Sequence, residues 1–213
     1  MNKQNLNLHG FLLELKIPVI FVVLIWIIYL TGFLIDIPIS IFGLKPGSLI
    51  GLTGILTSPL IHGSFDHLFS NTVPLLVLGY GLFSFYKTSS LKVFFLIYFL
   101  SGITVWFIGR PSYHIGASGV IYGMASFIFF SGIIRRDKRA IALSLLTTFL
   151  YGGLIWGILP IERGISWEGH LAGGFWGFVL SIIFRKKDKY IQYEWEEDDD
   201  NDIPPDKLEI KWD

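Results

Sequence analysis

Residues 118–134 read SGVIYGMASFIFFSGII, a run without a single charge that stops at Arg135, Arg136, Lys138 and Arg139. A bilayer core of ~30 Å takes about 20 apolar residues in a helix. At 17 residues the run has the length of a short membrane crossing. Its first residue, Ser118, stands where a glycine-containing loop enters the predicted helix.

The same pattern recurs on both sides. Residues 17–35, 68–86, 93–109, 140–159 and 169–184 are also apolar, and no Asp, Glu, Lys or Arg lies within any of the six runs. The chain is 52% hydrophobic and 16% charged, against about 25% charged for a soluble domain. This excludes an ordinary soluble enzyme and a disordered chain. Cysteine is absent, which excludes thiol catalysis, thiolate metal binding and a disulfide scaffold. The expected fold is an all-α membrane protein with six transmembrane helices. Residues 37–64 are apolar in places, but Pro38, Pro46, Pro59 and several glycines interrupt them. They read as an irregular loop, in the interface or against the bundle. No small-residue cleavage site follows the first run, so it reads as an anchor and not a removed signal peptide.

Basic residues set the orientation. With the N-terminus in the cytoplasm, the cytoplasmic segments hold 12 Lys and Arg, and the external loops hold 3: Lys45, Arg110 and Arg163. Both termini are therefore expected in the cytoplasm. Residues 1–193 carry 15 basic against 7 acidic side chains, a net +8; residues 194–213 carry 2 against 10, a net −8. The expected organisation is a stub at 1–15, a six-helix domain at 16–186 and a solvated, disordered acidic tail at 187–213. The basic run at 135–139 reads as a topology signal that can also meet lipid headgroups. It is not read as a nucleic-acid site. No phosphate-loop string is present.

Ionisable and strongly polar groups within spans are functional candidates. Here they are His67 and Asn71 at the start of the second span, Ser118 at the start of the fourth, and His170 at the start of the sixth. His62 and His114 lie in the loops before the second and fourth. Every even-numbered helix starts on the external side in this topology. Three sequence-distant clusters thus share one depth, just below the external surface.

Their types fit acyl transfer. His67 and Asn71 are four apart and share a helix face. The helix N-terminus at Ser118 offers unpaired N–H groups and a positive dipole end, which suit a developing oxyanion. His170 can supply the base that an unactivated serine needs. With no carboxylate in the spans to orient the imidazole, the arrangement would be a dyad. Gly119 and Gly123 on one helix, and Gly169, Gly173 and Gly177 on the other, allow close approach in lipid.

Each residue also has a plainer reading. Ser118 could bond to the preceding turn. His170 and Asn71 could be polar glue between helices, and Tyr122 an interface aromatic. His114 reads as a surface histidine in preference to a residue near the site. Arg110 reads as an interface anchor, and Trp106 and Trp167 as interfacial or lipid-facing. A transporter would place polar groups near the midplane on broken helices; these cluster at one end. A zinc protease motif, H-E-x-x-H, is absent, and so is a pair of transmembrane aspartates. No metal or other cofactor is expected.

His62-x4-His67-x3-Asn71, Gly116-Ala117-Ser118-Gly119 with Tyr122, and Gly169-His170 with Gly173 and Gly177 together resemble the rhomboid intramembrane serine proteases. The resemblance covers roughly residues 16–186. It implies Ser118 as nucleophile and His170 as general base, then acid. His67, Asn71 and the Ser118 N–H would form the oxyanion hole. Tyr122 would hold the His170 ring, and His62 would tie the first loop to the bundle. Gly116, Gly119, Gly173 and Gly177 would support the site. Residues 160–168 would cap it, and residues 140–159 would flank a lateral access route. The implied substrates are transmembrane proteins, cut at or near the external end of their helices. The other partner is the lipid bilayer; no nucleic acid and no particular oligomeric state are assigned. The expected location is a multi-pass position in a bacterial-type cytoplasmic membrane. One branch of the family carries a Trp-Arg pair in the first loop where this chain has Thr53-Gly54. A catalytically silent relative would usually lack the serine or the histidine, and both are present.

Overall fold

The computed structural model describes residues 8–150, 157–159 and 164–188. Its long helices are α1 (Leu8–Leu34), α2 (Phe65–Phe85), α3 (Ser90–Ile108), α4 (Ser118–Arg135), α5 (Lys138–Leu150) and α6 (Trp167–Ile183). A single α-turn, Gly54–Thr57, and three short 3-10 turns lie between α1 and α2. Among the described residues the chain is all-helical and forms no strand. Four helices, within α1 and in α2, α3 and α4, are long and apolar enough to cross a membrane. Only part of the fifth expected span is described, because residues 151–156 lie outside the described residues, as do 1–7, 160–163 and the acidic tail from 189 onward.

Some boundaries differ from expectation. The first helix starts at Leu8, well ahead of residue 17, and Glu14 on this extension pairs with Lys87 Nζ at 3.0 Å. The last helix starts at Trp167, so Trp167 and Glu168 belong to its first turn and not to a capping loop.

Helix α4 sits at the centre, packed most extensively on α6 and also on α5, α2 and α3. Lipid is as apolar as leucine, so association in a bilayer depends on close packing and interhelical hydrogen bonds. Both are present. A Cβ on Gly173 would overlap the Gly119 carbonyl, and one on Gly177 would overlap that of Gly123. The reciprocal position is close but less tight: a Cβ on Gly119 would lie 3.1 Å from the Gly169 oxygen. Ser126 Oγ then donates to the Gly174 carbonyl at 2.7 Å. Three further bonds stitch neighbouring helices: Trp176 Nε1 to Thr104 Oγ1 (2.8 Å), Trp26 Nε1 to Thr72 Oγ1 (3.0 Å) and Ser144 Oγ to the Ala125 carbonyl (2.8 Å). Leu78, Leu82, Ile97, Met124, Phe127 and Ile128 fill the centre.

The end of the bundle remote from Ser118 is locked by Asp188. Its carboxylate accepts from the Thr88 N–H (2.6 Å), the Ser89 N–H (3.1 Å) and Ser89 Oγ (2.6 Å). Arg135 donates to the carbonyls of Asp188 (2.7 Å) and Phe184 (3.0 Å), with its guanidinium over the Tyr86 ring. This joins the α2–α3 turn, the end of α4 and the segment after α6.

The loop between α1 and α2 is irregular, as expected, and it is pinned to the site end. Leu44 and His114 exchange two backbone hydrogen bonds, and the Gly116 N–H donates to the Ser58 carbonyl at 2.9 Å. Tyr98 donates its hydroxyl to the Leu56 carbonyl. Trp106 is half-buried, and its Nε1 donates to the Ser48 carbonyl at 2.9 Å. Gly54 lies against the backbone of Leu44 with no room for a Cβ. A side chain at Gly54 therefore does not fit this loop.

Candidate active site

Ser118 is the first residue of α4, following Gly116, whose φ of +106° favours glycine. A Cβ on Gly116 would also come 2.5 Å from His67 Nε2. The backbone conformation thus favours glycine in the turn that presents Ser118, and a side chain there would displace the His67 ring. The first N–H groups of a helix have no intrahelical acceptor, so the start of α4 faces the site with free donors.

Ser118 Oγ lies 2.7 Å from His170 Nε2. On the other side of the ring, His170 Nδ1 lies 2.8 Å from the Gly157 carbonyl oxygen. A carbonyl only accepts, so Nδ1 carries the hydrogen. In the neutral ring Nε2 is then the acceptor, and Ser118 Oγ–H donates to it. The Tyr122 ring stacks on the imidazole with centroids 4.1 Å apart and planes 7° from parallel. A hydroxyl held in this way against a ring nitrogen can give up its proton as it attacks a carbonyl.

His67 and Asn71 sit on α2 facing the same space. The Asn71 amide donates to the His67 carbonyl at 2.7 Å, and Asn71 Oδ1 is buried with no hydrogen-bond partner. His62, 1% exposed, accepts from the Ala117 N–H at 3.5 Å and packs edge-on against His67. It thereby joins the loop before α2 to the turn before α4. Burial, aided by the neighbouring His67, lowers the His62 pKa to about 3 against a weaker opposing bond to Leu60. His62 is therefore neutral at physiological pH. Among the described residues no group of three His, Cys, Asp or Glu is arranged to hold a metal ion.

A cavity of about 1030 Å³ opens over these groups, lined by His67, Asn71, Ser118, Tyr122 and His170, and also by Arg110, His114, Ile165 and Ser166. Arg110 and His114 have partners that their residue types did not show. Arg110, read as an interface anchor, also pairs with Glu168: its Nε meets Glu168 Oε1 at 2.6 Å and its Nη2 meets Oε2 at 3.2 Å. His114 is not a surface residue: it is 5% exposed, with Nδ1 2.7 Å from Ser166 Oγ and Nε2 3.1 Å from the Arg110 carbonyl. Glu168 and Ser166 were not singled out in the sequence. The acidic side chain two residues before His170 was the available signal for the first.

A model of the rhomboid domain matches residues 49–187, which contain every one of these site residues. The chain belongs to the rhomboid family. An uncharacterized protein of Mycobacterium tuberculosis (strain ATCC 25618 / H37Rv) is 34% identical over 177 residues, covering 76% of this chain and 72% of its own. An uncharacterized Mycobacterium leprae protein is 34% identical over 142 residues, covering 62% and 56%. A protein of Acanthamoeba polyphaga mimivirus, named as a rhomboid protein, is 28% identical over 140 residues, covering 58% and 70%. Rhomboids are a family of intramembrane proteases, and the four apolar helices agree with an integral membrane rhomboid.

Proposed function

We propose that this rhomboid is an intramembrane serine endopeptidase that hydrolyses a peptide bond at or near the external end of transmembrane substrates, using Ser118 and His170 as a dyad. The observation that carries the reading is the 2.7 Å contact between Ser118 Oγ and His170 Nε2, with the ring's other nitrogen bonded to the Gly157 carbonyl. In this reading Ser118 Oγ bonds to the scissile carbonyl carbon while His170 Nε2 takes its proton. Negative charge develops on the carbonyl oxygen, towards the Ser118 N–H, His67 and Asn71. His170 then protonates the leaving amine, and the C–N bond breaks. Water repeats the sequence on the acyl-enzyme and restores Ser118. The Gly157 carbonyl, in place of a carboxylate, favours the positive ring that forms in between.

The topology that suits this chemistry has six spans with both termini in the cytoplasm, residues 16–186 forming the protease domain and 187–213 a cytoplasmic tail. The basic residues support that orientation, and α5 would flank lateral substrate access. A bacterial-type cytoplasmic membrane is the location this form fits. The cavity at the outer ends of α2, α4 and α6 supplies the water that deacylation consumes.

The test is labelling by a fluorophosphonate probe in detergent, with cleavage of a reporter transmembrane substrate alongside. Wild type should label and cut. Ser118→Ala should do neither while keeping its helical content and melting transition. Cutting by Ser118→Ala at the wild-type rate would remove the mechanism.

A further inference from the structure

The nucleophile and the base lie on different helices, and among the described residues no side-chain carboxylate orients the base. What fixes the base helix against the nucleophile loop is therefore a separate question. The loop between α3 and α4 carries Arg110 and His114 and ends at Ser118. The first turn of α6 carries Glu168, Gly169 and His170, with Ser166 as its N-cap. Two polar arms cross between them.

The first arm is the ion pair. Glu168 Oε1 accepts from both the backbone N–H of Arg110 (3.2 Å) and its Nε (2.6 Å), while Oε2 accepts from Nη2 (3.2 Å). Arg110 Nη2 also donates to the Ile165 carbonyl at 2.6 Å. The planar guanidinium meets the carboxylate through two N–H groups, which sets direction as well as distance.

The second arm runs through His114. The Arg110 carbonyl only accepts, so His114 Nε2 carries hydrogen; the neutral ring's Nδ1 then accepts from Ser166 Oγ–H. Ser166 Oγ in turn accepts from the Gly169 N–H at 3.3 Å, one residue before His170. Both arms are thus anchored on the nucleophile loop and end within two residues of the base.

We infer that Arg110, Glu168, His114 and Ser166 are positioning residues that hold the start of α6 in register with Ser118, and so set the Ser118–His170 contact. The inference rests on the protease reading above. A displacement of about 1 Å at a reacting pair can cost on the order of 10²-fold in rate, so small slippage of the helix matters. The two ends of the ion pair are not equivalent. Glu168 is 1% exposed, while the Arg110 side chain is 44% exposed. Removing Glu168 leaves a cation that can turn to water. Removing Arg110 strands a buried carboxylate, the costlier change.

The experiment measures kcat and KM on a reporter transmembrane substrate, probe labelling rate and melting for wild type, Glu168→Ala, Glu168→Gln, Arg110→Ala, Arg110→Ala/Glu168→Ala and Ser166→Ala. Glu168→Ala should lower kcat and labelling together by about tenfold to a hundredfold, with KM within about twofold. Glu168→Gln, which keeps an acceptor, should recover part of this. The double variant should lose no more than Arg110→Ala alone, because the pair acts as one unit. Ser166→Ala, which leaves the ion pair intact, should also lower kcat with KM unchanged, and it stands in if Glu168→Ala does not fold. Lower melting with wild-type labelling rates well below the transition would overturn the inference, as would losses that multiply in the double variant. A wild type that takes no probe would instead overturn the protease reading.

Discussion

The carbonyl oxygen of Gly119 occupies the space in which a side chain on Gly173 would begin. Gly119 follows Ser118, and Gly173 lies one helical turn beyond His170. The α4–α6 contact is thus closest just beside the hydroxyl and the imidazole. Gly173→Ala should push the helices apart, costing about 1–3 kcal/mol as overpacking, and probe labelling of Ser118 should fall with it. Gly174 has nothing within 4 Å of its Cβ position. Gly174→Ala should melt no lower than wild type and label normally. Equal behaviour of the two variants in a detergent melt would refute the close-packing argument.

Asn71 is 3% exposed, on the wall of the cavity that holds Ser118. Asn71→Ala should lower kcat on the order of 10²-fold, the usual cost of one oxyanion donor. The loss should be smaller than for Ser118→Ala, because other donors remain. Unchanged kcat with a lower melting temperature would make Asn71 interhelical glue only.

Tyr122 holds His170 by ring stacking at 4.1 Å. Tyr122→Leu should lower kcat and leave KM nearly unchanged. Tyr122→Phe keeps the ring and should retain more of the rate. If the two variants lose equally, the stack is not what positions the imidazole.

Two groups should make stability fall on acidification, in different pH windows. His62 has its pKa lowered to about 3 by burial and by His67, against about 6.5 when unfolded. Its unfolded form binds more protons between those values, so its stabilisation is full above about pH 6.5 and declines towards pH 3. Burial alone would raise the Asp188 pKa, but hydrogen bonds from Ser89 and Thr88 and the charge of Arg135 hold it below the ordinary range. Its stabilisation is present above the unfolded value of about 3.9 and is lost as pH falls through the folded one. Melting of His62→Gln against wild type should therefore converge across the upper window. Asp188→Ala should keep a constant deficit there and converge only below about pH 4. Convergence of both variants in the same window would contradict the assignment.

Four apolar helices and the three polar clusters were legible in the chain because the bilayer imposes a strong rule. Apolar length marks a span, and any polar residue in it stands out. Ser118, His67, Asn71 and His170 begin alternate helices, so one topology puts them at one depth. The glycines spaced four apart named the helices that could touch. By itself, then, the sequence pointed to Ser118, His67, Asn71 and His170, which the structure gathers around one cavity.

Tertiary structure alone decided how the base is oriented and braced. The partner of His170 Nδ1 is the backbone carbonyl of Gly157, and a carbonyl leaves no mark on residue type. Arg110 and Glu168 are 58 positions apart and lie outside the apolar runs, where each looks like any loop charge. His114 read as a surface residue because its partners, the Arg110 carbonyl and the Ser166 hydroxyl, come within reach only once the loops have folded over it. Local pattern records hydrophobic length and helix face; it does not record which backbone groups a loop will bring within hydrogen-bond reach.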